Sequence, residues 1–140
     1  INKSDENGLY FTNWGTEAKS TQIITTTRII GKFLINSSND VLVFNSDLGT
    51  ATLDIPDGLY TGYTLAEAIQ TAMNENNTLT GNGEITFTVT WDIATQKFTI
   101  DAGEGHTIAY THSGSDLGAI VGFNDNVVAA QSITSQVACG

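Results

Sequence analysis

IPDGLYTGYTLAEAIQTAMNENN, residues Ile55–Asn77, runs a strand end, a turn and an amphipathic helix together without a break. Pro56, Asp57 and Gly58 carry turn chemistry, since proline presets φ and glycine gives backbone freedom. Thr64 is the expected N-cap, and Glu67 three residues later completes a capping box. Leu65, Ile69, Ala72 and Met73 recur at helical spacing and form one apolar stripe. The expected helix has roughly 11 to 13 residues and ends over Asn74–Asn77. A stripe of this kind must lie on an apolar surface.

The following stretch supplies that surface. ITFTVTW (Ile85–Trp91) alternates strictly, with Ile85, Phe87, Val89 and Trp91 on one face and Thr86, Thr88 and Thr90 on the other. This is the signature of a half-buried antiparallel strand, its apolar face turned to the helix. Asp92–Gln96 is a hairpin loop. KFTIDA (Lys97–Ala102) returns with Phe98 and Ile100 inward, GEG (Gly103–Gly105) turns, and HTIAYTH (His106–His112) gives a strand with Ile108 and Tyr110 inward. Upstream, Ile23–Ile35 is β-branched and predicts a strand. Asn36–Asp40 is a turn and Val41–Phe44 a second strand, so that residues 28–44 form a hairpin, and Thr50–Ile55 alternates as a third strand. Downstream, Ser113–Asp116 caps a short helical turn through LGAIVGF (Leu117–Phe123), and residues 127–138 form a last strand. The expected fold is α+β: a mostly antiparallel sheet with one central amphipathic helix packed on it and a short C-terminal helical turn. Residues 1–22 read as an extended N-terminal arm and residues 23–140 as a single domain.

Bulk composition agrees. The chain has 140 residues, enough for one sizeable core. Charged residues are 14%, so the polar share is mostly Thr, Asn, Ser and Gly, which suits short strands and polar turns. The formal net charge of −10 excludes the basic footprint that nucleic acid requires, and anionic membrane surfaces would repel it. No apolar run approaches the roughly 20 residues of a spanning helix. Cys139 is the one cysteine, which excludes an intrachain disulfide and a cysteine-based metal framework. A first residue of Ile rather than Met reads as a processed, trimmed or excised chain.

No motif points to catalysis. Ser113, His112 and Asp116 contain the residue types of a triad, but sequence neighbours rarely make one, and HSGSD reads as a polar turn with a helix cap. His106 and His112, on one strand, would stand about 20 Å apart, too far for one metal ion. Asp54 with Asp57, or Asp125 between Asn124 and Asn126, would at most decorate a weak calcium site, without the spacing of a calcium loop. Tyr60 and Tyr63 pack the turn against the helix. The N-terminal arm carries an aromatic island, with Tyr10, Phe11 and Trp14 as candidate partner contacts. No catalytic, cofactor or metal residue is assigned, and no cofactor is expected.

Four stretches carry a resemblance: Ile55–Thr61 (I-x-x-G-x-Y-T), Leu65–Asn74 (L-A-x-A-I-x-x-A-x-N), Phe87–Ile100 (F-T-V-x-x-D-x-x-T-x-K-F-T-I) and Leu117–Phe123 (L-G-x-x-x-G-F). Together, across about residues 33 to 124, they resemble a β-α-β-β module of phage and virus virion proteins. The same module occurs as an insertion in the outer domains of flagellins and hook-associated proteins. The resemblance implies a non-enzymatic structural subunit of a virion (capsid decoration, minor capsid or tail component) whose partners are copies of itself and other structural proteins, with no nucleic acid and no membrane. Two alternatives stand beside it: an extracellular outer domain of a flagellin or other filament, and a carbohydrate-binding or adhesive module that would meet a surface glycan through Tyr60, Tyr63, Trp14 or Trp91.

Overall fold

The structure, a computed structural model, describes residues 32–138. The expected N-terminal arm, Tyr10, Phe11 and Trp14 in it, the start of the first strand at Ile23, and Cys139 lie outside the described residues. Within them the fold is α+β, with antiparallel pairing throughout and one main helix.

Among the described residues nine strands fall into three sheets. β1 (Lys32–Ile35) pairs with β4 (Gly58–Thr61). A four-stranded sheet has the order β3 (Thr50–Asp54), β2 (Val41–Ser46), β7 (Ile108–Thr111), β8 (Val127–Ala130). A three-stranded sheet has the order β5 (Thr88–Asp92), β6 (Lys97–Asp101), β9 (Ser132–Thr134). One continuous core joins them, from Phe33 and Ile35 through Phe44, Leu65, Phe87 and Phe98 to Tyr110 and Phe123.

The expected hairpin over 28–44 does not form. Both edges of β2 are taken, by β3 across a short loop and by β7. The turn between β1 and β2 instead carries the chain from one sheet to another. Asn36 and Asn39 brace it: Asn36 N–H donates to Asn39 Oδ1 (2.7 Å), and Asn39 Nδ2 donates to Leu34 O (3.0 Å). β1 then finds its partner in β4, a strand hidden inside the stretch that reads as turn and helix entry. The long last strand is also corrected. It breaks at Gln131, whose carbonyl accepts from Ala102 N (2.8 Å), so β8 completes one sheet and β9 another.

α1 (Gly62–Asn74) begins earlier than expected. The N-cap is Thr61, whose Oγ1 accepts from Thr64 N (3.1 Å), while Thr64 Oγ1 accepts from Thr61 N (2.8 Å). This is a capping box with threonine in both roles, and Glu67 takes no part in it. The stripe holds: Leu65, Ala66, Ile69 and Met73 are buried, and Ala72 packs against the core. Each large side chain in it is worth about 1.5–3 kcal/mol of burial. α1 packs chiefly on β5, whose Val89 and Trp91, with Phe87 just before it, turn inward while Thr88 and Thr90 face out. A short second helix, α2 (Asn77–Thr80), follows where only a helix end is expected. Asn76 caps it, accepting from Leu79 N (2.9 Å), and Gly81 ends it in the left-handed region.

The segment after β7 closes the four-stranded sheet by turns rather than by a regular helix. Ser115 Oγ donates to Thr111 O (2.6 Å) and accepts from Val43 N (2.8 Å). Asp116 Oδ1 accepts from Val41 N (2.8 Å). Both glycines of LGAIVGF are required by close approach. A Cβ on Gly118 would collide with Tyr110 Oη, and one on Gly122 would collide with Val137 O at a φ of +90. Phe123 stacks on Tyr110 at 4.8 Å and is buried, plugging this end of the core.

The two readings of the helix start differ in outcome. Thr61→Ala is expected to lower stability by about 0.5–2 kcal/mol, and Glu67→Ala to change it by less than about 0.5 kcal/mol. Urea unfolding of both variants checks this.

Candidate functional site

Three places combine polar chemistry with defined geometry: the contact between α1 and β5, the His106 cluster, and a groove between α1 and β3.

At the first, Asn74 and Gln70 reach from α1 to the backbone of the β5 segment. Asn74 Nδ2 donates to Phe87 O (3.0 Å) and its Oδ1 accepts from Phe87 N (2.7 Å). Gln70 Oε1 accepts from Val89 N (3.0 Å). Among the described residues β5 is the edge of its sheet, and these amides pair that edge as a neighbouring strand would. Asn74 is the last residue of L-A-x-A-I-x-x-A-x-N, and its role there is structural. Removing it leaves both Phe87 backbone groups without a partner in a part-buried position. Asn74→Ala is expected to cost about 2–4 kcal/mol, and Asn74→Asp, which keeps the acceptor, to cost less; chemical denaturation of the two variants checks the order.

At the second, Asp47 sits in the β2–β3 loop. Its Oδ1 accepts from Thr107 N (2.8 Å) and its Oδ2 lies 2.9 Å from His106 Nδ1. Glu84 Oε2 is 3.9 Å from His106 Nε2. The Thr107 amide, then His106, hold the Asp47 carboxyl below the ordinary carboxylate range. A depressed folded value means that the contribution is present above the unfolded value, about 4, and is lost as pH falls through the folded one. Asp47→Asn should therefore flatten the part of the stability–pH curve below about pH 4, as acid titration of thermal melts in the two proteins will show.

His112 lies elsewhere. Its Nδ1 is 3.1 Å from Tyr110 Oη, and burial pushes that phenol above its ordinary value. Asp116 is engaged with Val41 and Ser113 is exposed, so the three residue types of a triad are brought to different tasks. The Asn124–Asn126 turn is held by Gln136, whose Oε1 accepts from Asn124 N (2.6 Å) and whose Nε2 donates to Asp125 O (3.0 Å). Asp54 and Asp57 are exposed. Among the described residues no group of three or more His, Cys, Asp or Glu side chains converges on a metal-sized space. None of the described helices is long and apolar enough to cross a membrane.

The aromatics divide. Tyr60 Oη donates to Pro56 O (2.6 Å), tying the turn before β4, and its ring packs on the core. Trp91 is 6% exposed, lies over Gly62 and meets Tyr63 edge-on at 5.2 Å. Tyr63 keeps 57% of its surface exposed.

The third place is a groove of about 590 Å³ between β3 and the outer face of α1. Leu53, Ala68 and Ala72 line its apolar part, Asp54, Glu67 and Glu75 contribute carboxylates, and Tyr60 and Pro56 close one end. Sequence periodicity marks the buried stripe of α1 but says nothing of this opposite face, whose Ala68 and Thr71 look like ordinary helix-surface residues. The groove becomes visible only when β3 is placed beside the helix.

A scan against protein-family models matched none, and a search of curated proteins returned no match.

Proposed function

We propose that this chain is a non-enzymatic structural subunit of a virion, a capsid decoration, minor capsid or tail component that works through contacts between subunits. The observation that carries the reading is the use the fold makes of the four motif stretches. Asn74 pairs the β5 edge, Gly118 and Gly122 admit Tyr110 and the C-terminal tail, Phe123 plugs the core, and the Thr61 cap starts the helix. The residues that carry the resemblance are spent on building one packed scaffold.

The surface supports a contact role as well. Leu34 and Leu59 are directly opposed across the β1–β4 pair and are 65% and 66% exposed, so the outer face of that ribbon presents an apolar pair. Val128 on β8 is 84% exposed. Apolar side chains placed on sheet faces and edges are what repetitive assembly uses.

The test is the size of the native particle that contains the chain, together with the mass of its parent polypeptide. A megadalton-scale particle whose subunit has the mass of this sequence is the expected result. A small soluble particle would overturn the reading, and a much heavier parent chain in a filament would replace it with a flagellin-type outer domain.

A further inference from the structure

The β3–α1 groove has the features of a site that accepts an extended strand. β3 is an edge strand and, among the described residues, pairs only with β2. The bonds Ile55 N to Asp40 O and Ser46 N to Gly49 O (both 2.8 Å) fix the alternation of that ladder. Ala51, Leu53 and Ile55 therefore direct their backbone groups to β2, and Thr50, Thr52 and Asp54 direct theirs away from it. Thr52 and Asp54 line the groove. On the other side, α1 lines it from Thr64 to Glu75, roughly 16 Å at 1.5 Å per residue. That length admits about five residues of extended chain. Small side chains, Ala68, Thr71 and Ala72, keep the helix wall low, and three carboxylates stand around it.

An occupant must therefore be extended, β-rich and of basic character. The chain itself contains one. Every residue of Ile23–Ile30 (IITTTRII) is β-branched except Arg28. Charge is segregated in the same sense: of the five basic residues only Lys97 lies beyond residue 32, whereas twelve of the fifteen acidic residues do. The point of delivery also fits. Lys32 is paired with Thr61, next to the groove end formed by Tyr60 and Thr64, and Gly31 is the one residue between Lys32 and Ile30.

We infer that the groove between β3 and α1 is the docking site for the segment Ile23–Ile30, which adds a strand to the β3 edge and sets Arg28 among Asp54, Glu67 and Glu75. The docking is strand addition: main-chain bonds to Thr52 and Asp54 supply affinity, and the helix wall and carboxylates supply selectivity. It does not depend on the virion reading, because the segment can come from the same molecule or from a neighbouring copy.

The experiment uses the full 140-residue chain with Cys139→Ser as background. Thr52→Cys is combined in turn with Thr25→Cys, Thr26→Cys and Thr27→Cys, and each variant is oxidised with diamide. A matched set pairs the same three positions with Thr95→Cys in the β5–β6 loop. In the chain without added cysteines, amide exchange at Thr52 and Asp54 is followed with and without Arg28→Glu. The expected result is a disulfide to the thiol introduced by Thr52→Cys in at least one register, well above the Thr95→Cys set. Exchange at Thr52 and Asp54 should be slowed by at least about tenfold, and Arg28→Glu should reverse much of that. A cross-link within one molecule or between two upholds the docking, and the second also bears on assembly. Cross-linking no better than the Thr95→Cys set, with both amides exchanging freely, would overturn it, whatever particle size is found for the native assembly.

Discussion

The side-chain amides of Gln70 and Asn74 are the constraint around which the fold is arranged. A strand edge buried against a helix has amide and carbonyl groups that no helix backbone can pair, because the helix uses its own internally. Two amide side chains one turn apart on α1 solve this for the β5 edge, at Phe87 and Val89. Once those bonds are made, the rotation of α1 about its axis is fixed. Leu65, Ile69 and Met73 then point into the core, and the face carrying Thr64, Glu67, Ala68 and Thr71 points outward, beside β3. The stripe alone tolerates some rotation, since hydrophobic contact is not directional; directional bonds remove it.

Two other polar devices act at the sheet junctions. The mutual brace of Asn36 and Asn39 redirects the chain between sheets, and Ser115 with Asp116 extends the β2 ladder beyond β7. Each places a short polar side chain where a backbone group lacks a strand partner. This accounts for the composition: a chain rich in Asn, Ser and Thr and poor in charge uses uncharged side chains to satisfy backbone at the ends of short strands, at about 1 kcal/mol per bond.

Periodicity made part of this legible in advance. Alternation in Ile85–Trp91 and the 3.6-residue stripe of α1 are driven by burial, and burial decided both. The inward assignments of Phe98, Ile100, Ile108 and Tyr110 follow from the same cause. Pairing partners were another matter. β1 and β4 are four residues each, too short for alternation to identify, and their pairing rests on contacts far apart in the chain. The helix starts one turn before the expected cap because a Thr-x-x-Glu box begins at Thr64 while Thr61 and Thr64 cap each other at the true start, and local sequence permits both. The groove, the candidate site, left no trace in the sequence, since its walls come from two elements whose outer faces carry no periodic signal.

The broken C-terminal stretch has a bearing on how the protein comes to be made. β8 covers the edge of β7 in one sheet, and β9, beyond Gln131, covers the edge of β6 in another. During synthesis both edges stay open until residues 127–134 have left the ribosome, so neither sheet is complete before they emerge. Closure of both then falls to one short ribbon, which seals two sheets together. A chain arrested shortly before that point would expose two unpaired edges, the surfaces most prone to join with those of another nascent chain.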